Sequence, residues 1–384
     1  MKPVLFFFSI WAVSVNGQSL DFDKSGTIQQ TYEITLPPKK YQKLLKSKGS
    51  KLSFKEFKVV RNSLPLDVNT LKLRGNNSLN FRRKSFAISL NEPILEKVPV
   101  SKLSLTNLVM DKNYWRNRVC FILLEPLDLF PLYNEYAKVV INGEPQGIYL
   151  AQQKVDDYAN NIENTPLLLR RTQSNEYEEY ASRDQEGKKR KEELLEIRDI
   201  SPSISGQSLY DYLTAHIDLD QYFELLAFYS FMLNGDYTDE LYIYFDNSKE
   251  RFRVIPWDFD DIFAQAPHEG WKNRNLALSN VLIFSSEPYF DALIDKDEYL
   301  YHMYLISFRN LLTKLDESVI KNVFELVYHE LYPYFADAEV IEQSRYDANG
   351  LTNLDNLEKD LELHYQYMIT RRKNLILDID ELLK

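Results

Sequence analysis

The sequence is short of cysteine, of long apolar runs and of positive charge. Its one cysteine, Cys120, excludes a disulfide framework within the chain and a zinc site built from several cysteines. No apolar run reaches the ~20 residues that a membrane-spanning helix needs. The formal net charge of -11 argues against a general nucleic-acid binder, which requires a broad basic surface. We therefore expect no nucleic-acid partner and no stable membrane insertion.

The composition is that of a folded protein. The 384 residues are 44% hydrophobic and 14% aromatic, which is enough to build a large core. This length suits one large two-lobed domain or two domains. Cys120 lies in an apolar run and is predicted to be a buried thiol.

The N-terminus resembles a secretory signal peptide. Met1-Lys2 precedes an apolar stretch from Val4 to Val13, and small residues follow near Gly17. We predict that residues 1–17 are a signal peptide and that the protein is secreted or otherwise extracytoplasmic, with the cell surface or envelope as a further location.

Periodicity predicts an α+β protein with a β-rich N-terminal lobe, residues 18–155, and a mainly helical C-terminal lobe, residues 156–384. The first lobe alternates apolar and polar residues, contains a helix from Asp111 to Leu124, and ends in a hairpin that turns at Asn142-Gly143. In the second lobe, helical patterns flank a further hairpin, residues 241–255.

A basic stretch interrupts the first lobe. Arg74, Arg82, Arg83 and Lys84 lie beside a Gly-Asn-Asn turn between two predicted strands. Free N–H groups in such a turn suit phosphate oxygens, and Lys84 would point toward a ligand held there. The alternative is a solvated sheet edge whose charges discourage strand pairing.

The order of the remaining parts suits phosphoryl transfer. A lysine in a β-lobe, a loop acid after a long helix and a second acid after a short hairpin follow one another as Lys84, Asp236 and Asp258. In phosphoryl transfer such residues steady the nucleotide phosphates, orient the acceptor hydroxyl and hold Mg²⁺.

Asp258 and Asp260 flank Phe259, and an extended segment would point both carboxylates one way and the ring into the core. Converging carboxylates repel unless a cation neutralises them, and Mg²⁺ is the natural partner. A turn in which one aspartate caps the next helix is the alternative.

Four motifs resemble the CotH family of atypical, secreted or spore-coat protein kinases, loosely over residues 60–375. Arg74-Gly75-Asn76-x-Ser78 with Phe81-x-x-Lys84-Ser85-Phe86 resembles the family stretch RGNSS…FPKKSF. The other three are Tyr114-Trp115-Arg116-Asn117, the hairpin Ile141 to Leu150, and Pro256-Trp257-Asp258-Phe259-Asp260, which matches the WDFD signature.

The resemblance implies a two-lobed, kinase-like fold that uses ATP with Mg²⁺ or Mn²⁺. It implies Lys84 as the nucleotide lysine, Asp236 as the catalytic-loop acid and Asp258 as a metal ligand. Gln153 stands where many members have Glu, and Glu240 lies near a usual metal-binding Asn. The predicted nucleotide-binding residues are Arg74, Gly75, Asn76, Ser78, Lys84 and Gln153. The predicted metal ligands are Asp258, Asp260 and Glu240.

The function expected from the sequence is an exported, ATP-dependent protein kinase acting on Ser or Thr of extracytoplasmic or coat-like proteins. Two alternatives stay open: a non-catalytic surface or adhesion protein on the same fold, and a kinase-like enzyme that transfers AMP or glutamate. Asn76 also begins a glycosylation sequon, which we predict to be unused because a glycan there would block the phosphates.

Overall fold

A computed structural model describes residues 19–47, 52–75, 77–95, 98–161, 164–182, 184–263, 282–285 and 287–384. The predicted signal peptide and the predicted nucleotide contact at Asn76 lie outside these residues.

A large sheet dominates the N-terminal part. Its strands, in chain order, are β1 Thr31–Thr35, β2 Ser53–Phe54, β3 Lys58–Arg61, β4 Leu64–Pro65, β5 Val68–Arg74, β6 Ser85–Leu95, β7 Pro99–Thr106, β8 Asn134–Ile141 and β9 Glu144–Gln153. Their order across the sheet is β2-β5-β6-β7-β9-β8-β1-β3-β4. Neighbours are antiparallel except β1 and β8, which run parallel.

The predicted Asn-Gly hairpin is confirmed between β8 and β9, where Ile141 pairs with Glu144. Asn142 has φ 50° and Gly143 has φ 83°, the left-handed backbone that a two-residue hairpin turn needs. The Asn142 side chain also bonds both backbone groups of Leu36, so the turn is tied to the chain that leaves β1.

Three helices accompany this sheet: α1 Pro38–Lys46, α2 Arg116–Leu124 and α3 Val155–Asn161. The prediction that a helix starts at Asp111 is wrong by several residues, because Asn113 and Tyr114 both have positive φ and break the turn. Asp111 still caps α2, since its carboxylate accepts from the backbone N–H groups of Arg116 and Asn117 at 3.2 and 3.1 Å.

The C-terminal part combines a small sheet with helices, which confirms the α+β class. The strands are β10 Leu167–Arg171, β11 Tyr177–Ser182, β12 Leu241–Asp246 and β13 Arg251–Pro256, in the order β11-β10-β12-β13. The helices are α4 Asp184–Ile200, α5 Gly206–His216, α6 Leu219–Met232, α7 Phe290–Lys296, α8 Glu298–Lys314, α9 Glu317–Ala336, α10 Ala338–Ile341 and α11 Leu354–Leu382.

Strand β9 separates two hydrophobic clusters. Tyr149 and Ala151 face a cluster formed only by residues between 32 and 151. Ile148 and Leu150, on the other face, join a second cluster that contains α2, Cys120 and the C-terminal helices. At β9 the large sheet is thus buried on both faces, and the helical part packs directly on it. The lobe boundary predicted near residue 155 stays a prediction.

The last helix anchors this second core. Leu357, Leu361, Tyr365 and Met368 of α11, spaced for one helical face, are all 0% exposed. In the described part of the chain, no helix combines the length and apolar character that crossing a membrane would need.

Candidate functional site

The loop after α6 carries Asp236. Leu233 takes the left-handed conformation, with φ 49°, and ends the helix one residue before the stop predicted at Asn234-Gly235. The Gly235 N–H donates to Asp261 O at 2.9 Å, so this loop is bound to the segment that follows β13. Asp236 is 8% exposed, which places a carboxylate inside the protein.

The segment after β13 carries Asp258 and Asp260. Between them, Phe259 is fully buried, as predicted. The backbone N–H of Phe259 donates to Asn117 Oδ1 at 2.8 Å. The prediction of an extended segment is wrong, because Asp258 has φ 40° and residues 260 and 261 form a turn. The Trp257 N–H donates to Glu240 O at 2.8 Å and brings both loops together.

Carboxylates gather where these loops meet. One ligand oxygen from each of Asp236, Asp239 and Glu240 lies within 4.8 Å of the other two. Glu240 Oε2 is buried and has no hydrogen-bond partner among the residues that the structure describes. A buried carboxylate oxygen without a donor is costly unless a cation neutralises it. The donor set therefore fits a hard divalent cation with oxygen ligands.

Electrostatics add Asp258 and Asp260 to this group. Burial, followed by the charge of Asp258, raises the pKa of Glu240 well above its usual value. Burial, then Asp258 and Asp111, likewise raises the pKa of Asp260. Burial also raises the pKa of Asp111 to about 6. Besides burial, a neighbouring acid raises the pKa of each of these groups, which indicates that they lie close together. We call this group the acidic site.

Two arginines face the acids. Arg170 of β10 forms ion pairs with Asp239 at 3.1 Å and Glu240 at 3.0 Å. Arg74, at the end of β5, lowers the pKa of Asp258 against the larger effect of burial. Its guanidinium donates to Thr106 Oγ1 at 2.8 Å. The end of β5 therefore lies beside the acidic site. The nucleotide role predicted for Arg74 stays a prediction.

A row of aromatic and cationic side chains continues from the acids toward α3. The row consists, in order, of Arg74, Trp257, Tyr242, Tyr180 and Lys154. The two cations lie 5.9 and 5.8 Å from the centroids of the rings next to them, and the centroids of neighbouring rings are 6.2 and 5.3 Å apart. Such rings offer flat apolar surface next to the charged site.

Lys84 lies just before β6 and is 3% exposed. Its ammonium donates to Leu79 O at 2.6 Å and to Ser47 O at 2.8 Å, and burial lowers its pKa. The structure gives Lys84 no carboxylate partner among the described residues. Arg74 influences the carboxylate of Asp258, whereas Lys84 donates to backbone carbonyls. The role of Lys84 as the nucleotide lysine stays a prediction.

The turn after β5 is tightly built. Gly75 has φ 102°, a conformation that L residues rarely adopt, and a Cβ added there would lie 2.0 Å from Ser78 Oγ. A larger residue would therefore be strained and would displace the Ser78 side chain. Gln153 is fully buried, and its amide donates to Pro99 O at 3.1 Å and Asp157 Oδ2 at 2.9 Å. The nucleotide contacts predicted for Gly75, Ser78 and Gln153 stay predictions.

Asp239 and Arg170 were missed by the sequence reasoning. Asp239 directly precedes Glu240 in the loop that begins at Asp236, and this run of acids was a signal that could have found it. Arg170 carried no such signal, because its place depends on the pairing of β10 with β12, where Arg170 lies opposite Tyr242.

Comparisons with known proteins agree with the resemblance noted in the sequence. Inner spore coat protein H of Bacillus subtilis (strain 168) is 23% identical over 296 residues, which cover 71% of this chain and 76% of that protein. The crystal structure of the Helicobacter pylori proinflammatory kinase CtkA aligns with a TM-score of 0.38 at 8% identity, over 78% of this chain and 94% of that one. Residues 71–375 match the family model described as CotH kinase protein, so the chain belongs to the CotH kinase family.

Proposed function

We propose that this protein is an exported protein kinase that transfers the γ-phosphoryl group of ATP to Ser or Thr of extracytoplasmic or coat-like proteins. Membership of the CotH kinase family supports the reaction class. The observation that carries the proposal is the acidic site, in which Asp236, Asp239 and Glu240 converge. In the described part of the chain, the buried Oε2 of Glu240 has no hydrogen-bond partner.

The metal ligands would be Asp258, Asp260 and Glu240, as predicted from the sequence, with Asp239 beside them. Bound Mg²⁺ or Mn²⁺ would neutralise charge on the phosphate oxygens. Arg170 already balances part of the acidic charge, through Asp239 and Glu240. A full set of unbalanced acids would bind a cation too tightly to exchange with each new nucleotide, so this partial balance suits a metal that arrives with ATP.

Asp236 is the proposed acceptor of the substrate hydroxyl proton. The hydroxyl oxygen bonds to the γ-phosphorus, the bond from that phosphorus to the β,γ-bridging oxygen breaks to release ADP, and the hydroxyl proton passes to Asp236. Arg74 and Lys84 are proposed to face the phosphates from the β-rich part of the chain. The aromatic row from Trp257 to Tyr180 would lie against the nucleotide base.

Two observations support a location outside the cytoplasm. The first is the apolar N-terminal stretch with its small-residue end. The second is the similarity to a protein that is named a component of the inner spore coat. We therefore propose coat or envelope proteins as the class of substrate.

The test compares Asp236→Asn with Asp258→Asn, using ATP labelled in either the γ- or the α-phosphate. Asp258→Asn should weaken binding of Mg-ATP and abolish transfer, because it removes a metal ligand. Asp236→Asn should leave Mg-ATP binding nearly intact and slow transfer by ~10²–10⁴-fold. Asp199→Asn, at a side chain that is 71% exposed, is the isosteric control and should resemble wild type.

Each alternative function has its own outcome in this experiment. Transfer of the α-label would indicate adenylylation and replace the kinase assignment. Absence of nucleotide binding with every divalent metal tried would favour the non-catalytic adhesion protein. Wild-type transfer by both Asn variants would contradict the roles given to Asp236 and Asp258.

A further inference from the structure

Arg171, the last residue of β10, is a charged side chain buried to 1% exposure. Its Nε donates to Thr238 O at 2.6 Å, and its Nη2 donates to Tyr237 O at 2.6 Å. These carbonyls belong to the two residues that follow Asp236. The planar fork of arginine holds two acceptors in a fixed geometry, which the single ammonium of lysine cannot do.

A buried acidic group holds Arg171 from the other side. Asp291 of α7 is 4% exposed and lies 3.9 Å from Arg171 Nη1. Asp291 accepts hydrogen bonds from Tyr222 and Ser285 at 2.6 and 2.5 Å. The Asp291 N–H donates to Glu287 Oε2 at 2.8 Å. Arg171 therefore connects the Asp236 loop to α7 and to the chain that leads into it.

Arg170 and Arg171 hold one loop from two sides. Adjacent strand residues point to opposite faces. Arg170 pairs with the side chains of Asp239 and Glu240, and its Nε donates to Asp239 O at 2.8 Å. Arg171 binds the backbone of Tyr237 and Thr238. A buried ion pair alone is weak support for stability, because desolvation offsets its attraction. The two carbonyl bonds indicate that the loop geometry is what this arginine determines.

We propose that Arg171 is a positioning residue for catalysis: it fixes the Tyr237–Thr238 backbone, and through it the carboxylates of Asp236 and Glu240, while Asp291 holds Arg171 in place. The catalytic part of this inference rests on the proposed kinase function. The structural part, an ordered acidic loop, does not. A misplacement of about 1 Å at reacting groups costs roughly 10²-fold in rate, so a small loop shift has a measurable effect.

The test uses Arg171→Lys, which keeps the charge and loses the fork, and Asp291→Asn, which removes the acidic partner at nearly constant size. Arg118→Lys is the matched control. Arg118, with 13% of its side chain exposed, pairs with Glu330 at 2.7 Å and donates to a backbone carbonyl, Asn134 O, at 2.7 Å, away from the acidic loop. Its replacement should lower thermal stability to a similar degree.

We expect Arg171→Lys to lower turnover at saturating ATP by ~10–100-fold, with Asp291→Asn having a smaller effect in the same direction. Turnover by Arg118→Lys should stay within about threefold of wild type at a matched loss of melting temperature. Equal turnover in the Arg171→Lys and Arg118→Lys variants would overturn the inference, since both arginines would then be purely structural.

Two measurements separate this inference from the kinase proposal. Mn²⁺ affinity, measured by electron paramagnetic resonance, and hydrogen exchange of amides 236–240 need no phosphoryl transfer. Arg171→Lys should weaken Mn²⁺ binding and speed exchange in this loop, and Arg118→Lys should do neither. If wild type lacks transfer activity but these differences appear, the kinase proposal fails and the positioning role stands. If the differences are absent, the positioning role fails whatever the activity.

Discussion

The guanidinium of Arg74 lies over the indole of Trp257, with its carbon 5.9 Å from the ring centroid. Arg74 ends β5 of the large sheet, and Trp257 follows β13 of the small one. This contact therefore joins the two sheets at the acidic site. The residue after Trp257 is Asp258, whose pKa is raised by burial and lowered by the charge of Arg74.

Removing the charge of Arg74 should change metal binding in a pH-dependent way. In Arg74→Gln the pKa of Asp258 rises further, so the pH at which Mn²⁺ binding is half-maximal should move upward. Above this pH, where Asp258 is ionised, loss of the guanidinium removes its repulsion of the cation, so affinity should not fall. Arg74→Lys should lie between this variant and wild type. Mn²⁺ titrations from about pH 5.5 to 8.5 measure the shift. Arg82→Gln, whose guanidinium lies over Tyr346, is the control; an equal shift there would contradict a specific effect of Arg74.

The acidic site should make stability depend on pH and on divalent cations. The pKa values of Glu240 and Asp260 are raised in the folded protein, and that of Asp111 reaches about 6. The folded state therefore binds more protons than the unfolded state above pH ~4, so the contribution of these groups to stability is present at low pH and is lost as pH rises through the raised values.

The measurement for this effect is the melting temperature at about pH 6 and pH 8, with and without Mg²⁺. Without metal, wild type should lose more stability than Glu240→Gln as the pH rises. Saturating Mg²⁺ should stabilise wild type more at the higher pH, by ~2.7 kcal/mol at 100 times its Kd. The same pH dependence in wild type and Glu240→Gln would rule out this source.

Lys84→Met tests the predicted nucleotide lysine. Its ammonium holds the carbonyls of Leu79 and Ser47, next to the turn that carries Ser78. We expect the variant to bind Mg-ATP at least ~10-fold more weakly, since a charge near the phosphates and the support of this turn are both lost. Calorimetric titration with Mg-ATP gives the affinity. Lys102→Met, which removes an ammonium paired with Asp156 at 2.9 Å, is the control. A lower melting temperature with unchanged affinity would make Lys84 a structural residue.

Arg83 and Asp347 form a buried ion pair at 2.6 Å, with side chains 1% and 6% exposed. Arg83→Met should lower the free energy of unfolding by ~3–5 kcal/mol, because it leaves the Asp347 carboxylate buried without its cation. The double variant Arg83→Met/Asp347→Leu should recover much of this loss. Urea unfolding of both single variants and the double variant closes the cycle. Additive losses would show that the two side chains are not coupled.

Local signals predicted the parts of the fold that depend on local chemistry. Asn142-Gly143 fixed one hairpin, and the spacing from Leu357 to Met368 predicted the buried face of α11. Backbone conformations that contradict residue preference were not predictable. Leu233 ends α6 with positive φ although it is neither Gly nor Asn, and Asp258 bends the WDFD segment.

The candidate site also contains residues that the sequence predicted and residues that it could not predict. The sequence predicted roles for Asp236, Asp258 and Asp260 from their places along the chain, and for Glu240 from the family resemblance. The acids lie close enough to influence one another's pKa values, and their catalytic and metal-binding roles stay predictions. The partners Arg170 and Arg171 could not be predicted, because the register of β10 against β12 places them. Nothing local in the sequence specifies that register.

The parallel pairing of β1 with β8 has a consequence for the time course of folding. Thr31 pairs with Lys138, so β1, which is made early, cannot complete its pairing until β8 has been made. Its other neighbour, β3, begins at Lys58, much nearer in the chain. Closing such a long loop costs entropy before any pairing is gained, and sheets of this kind form slowly. During synthesis from the N-terminus, the edge of β1 that pairs with β8 stays open until β8 has been made. The topology itself therefore requires that this strand edge be shielded while the chain is being made.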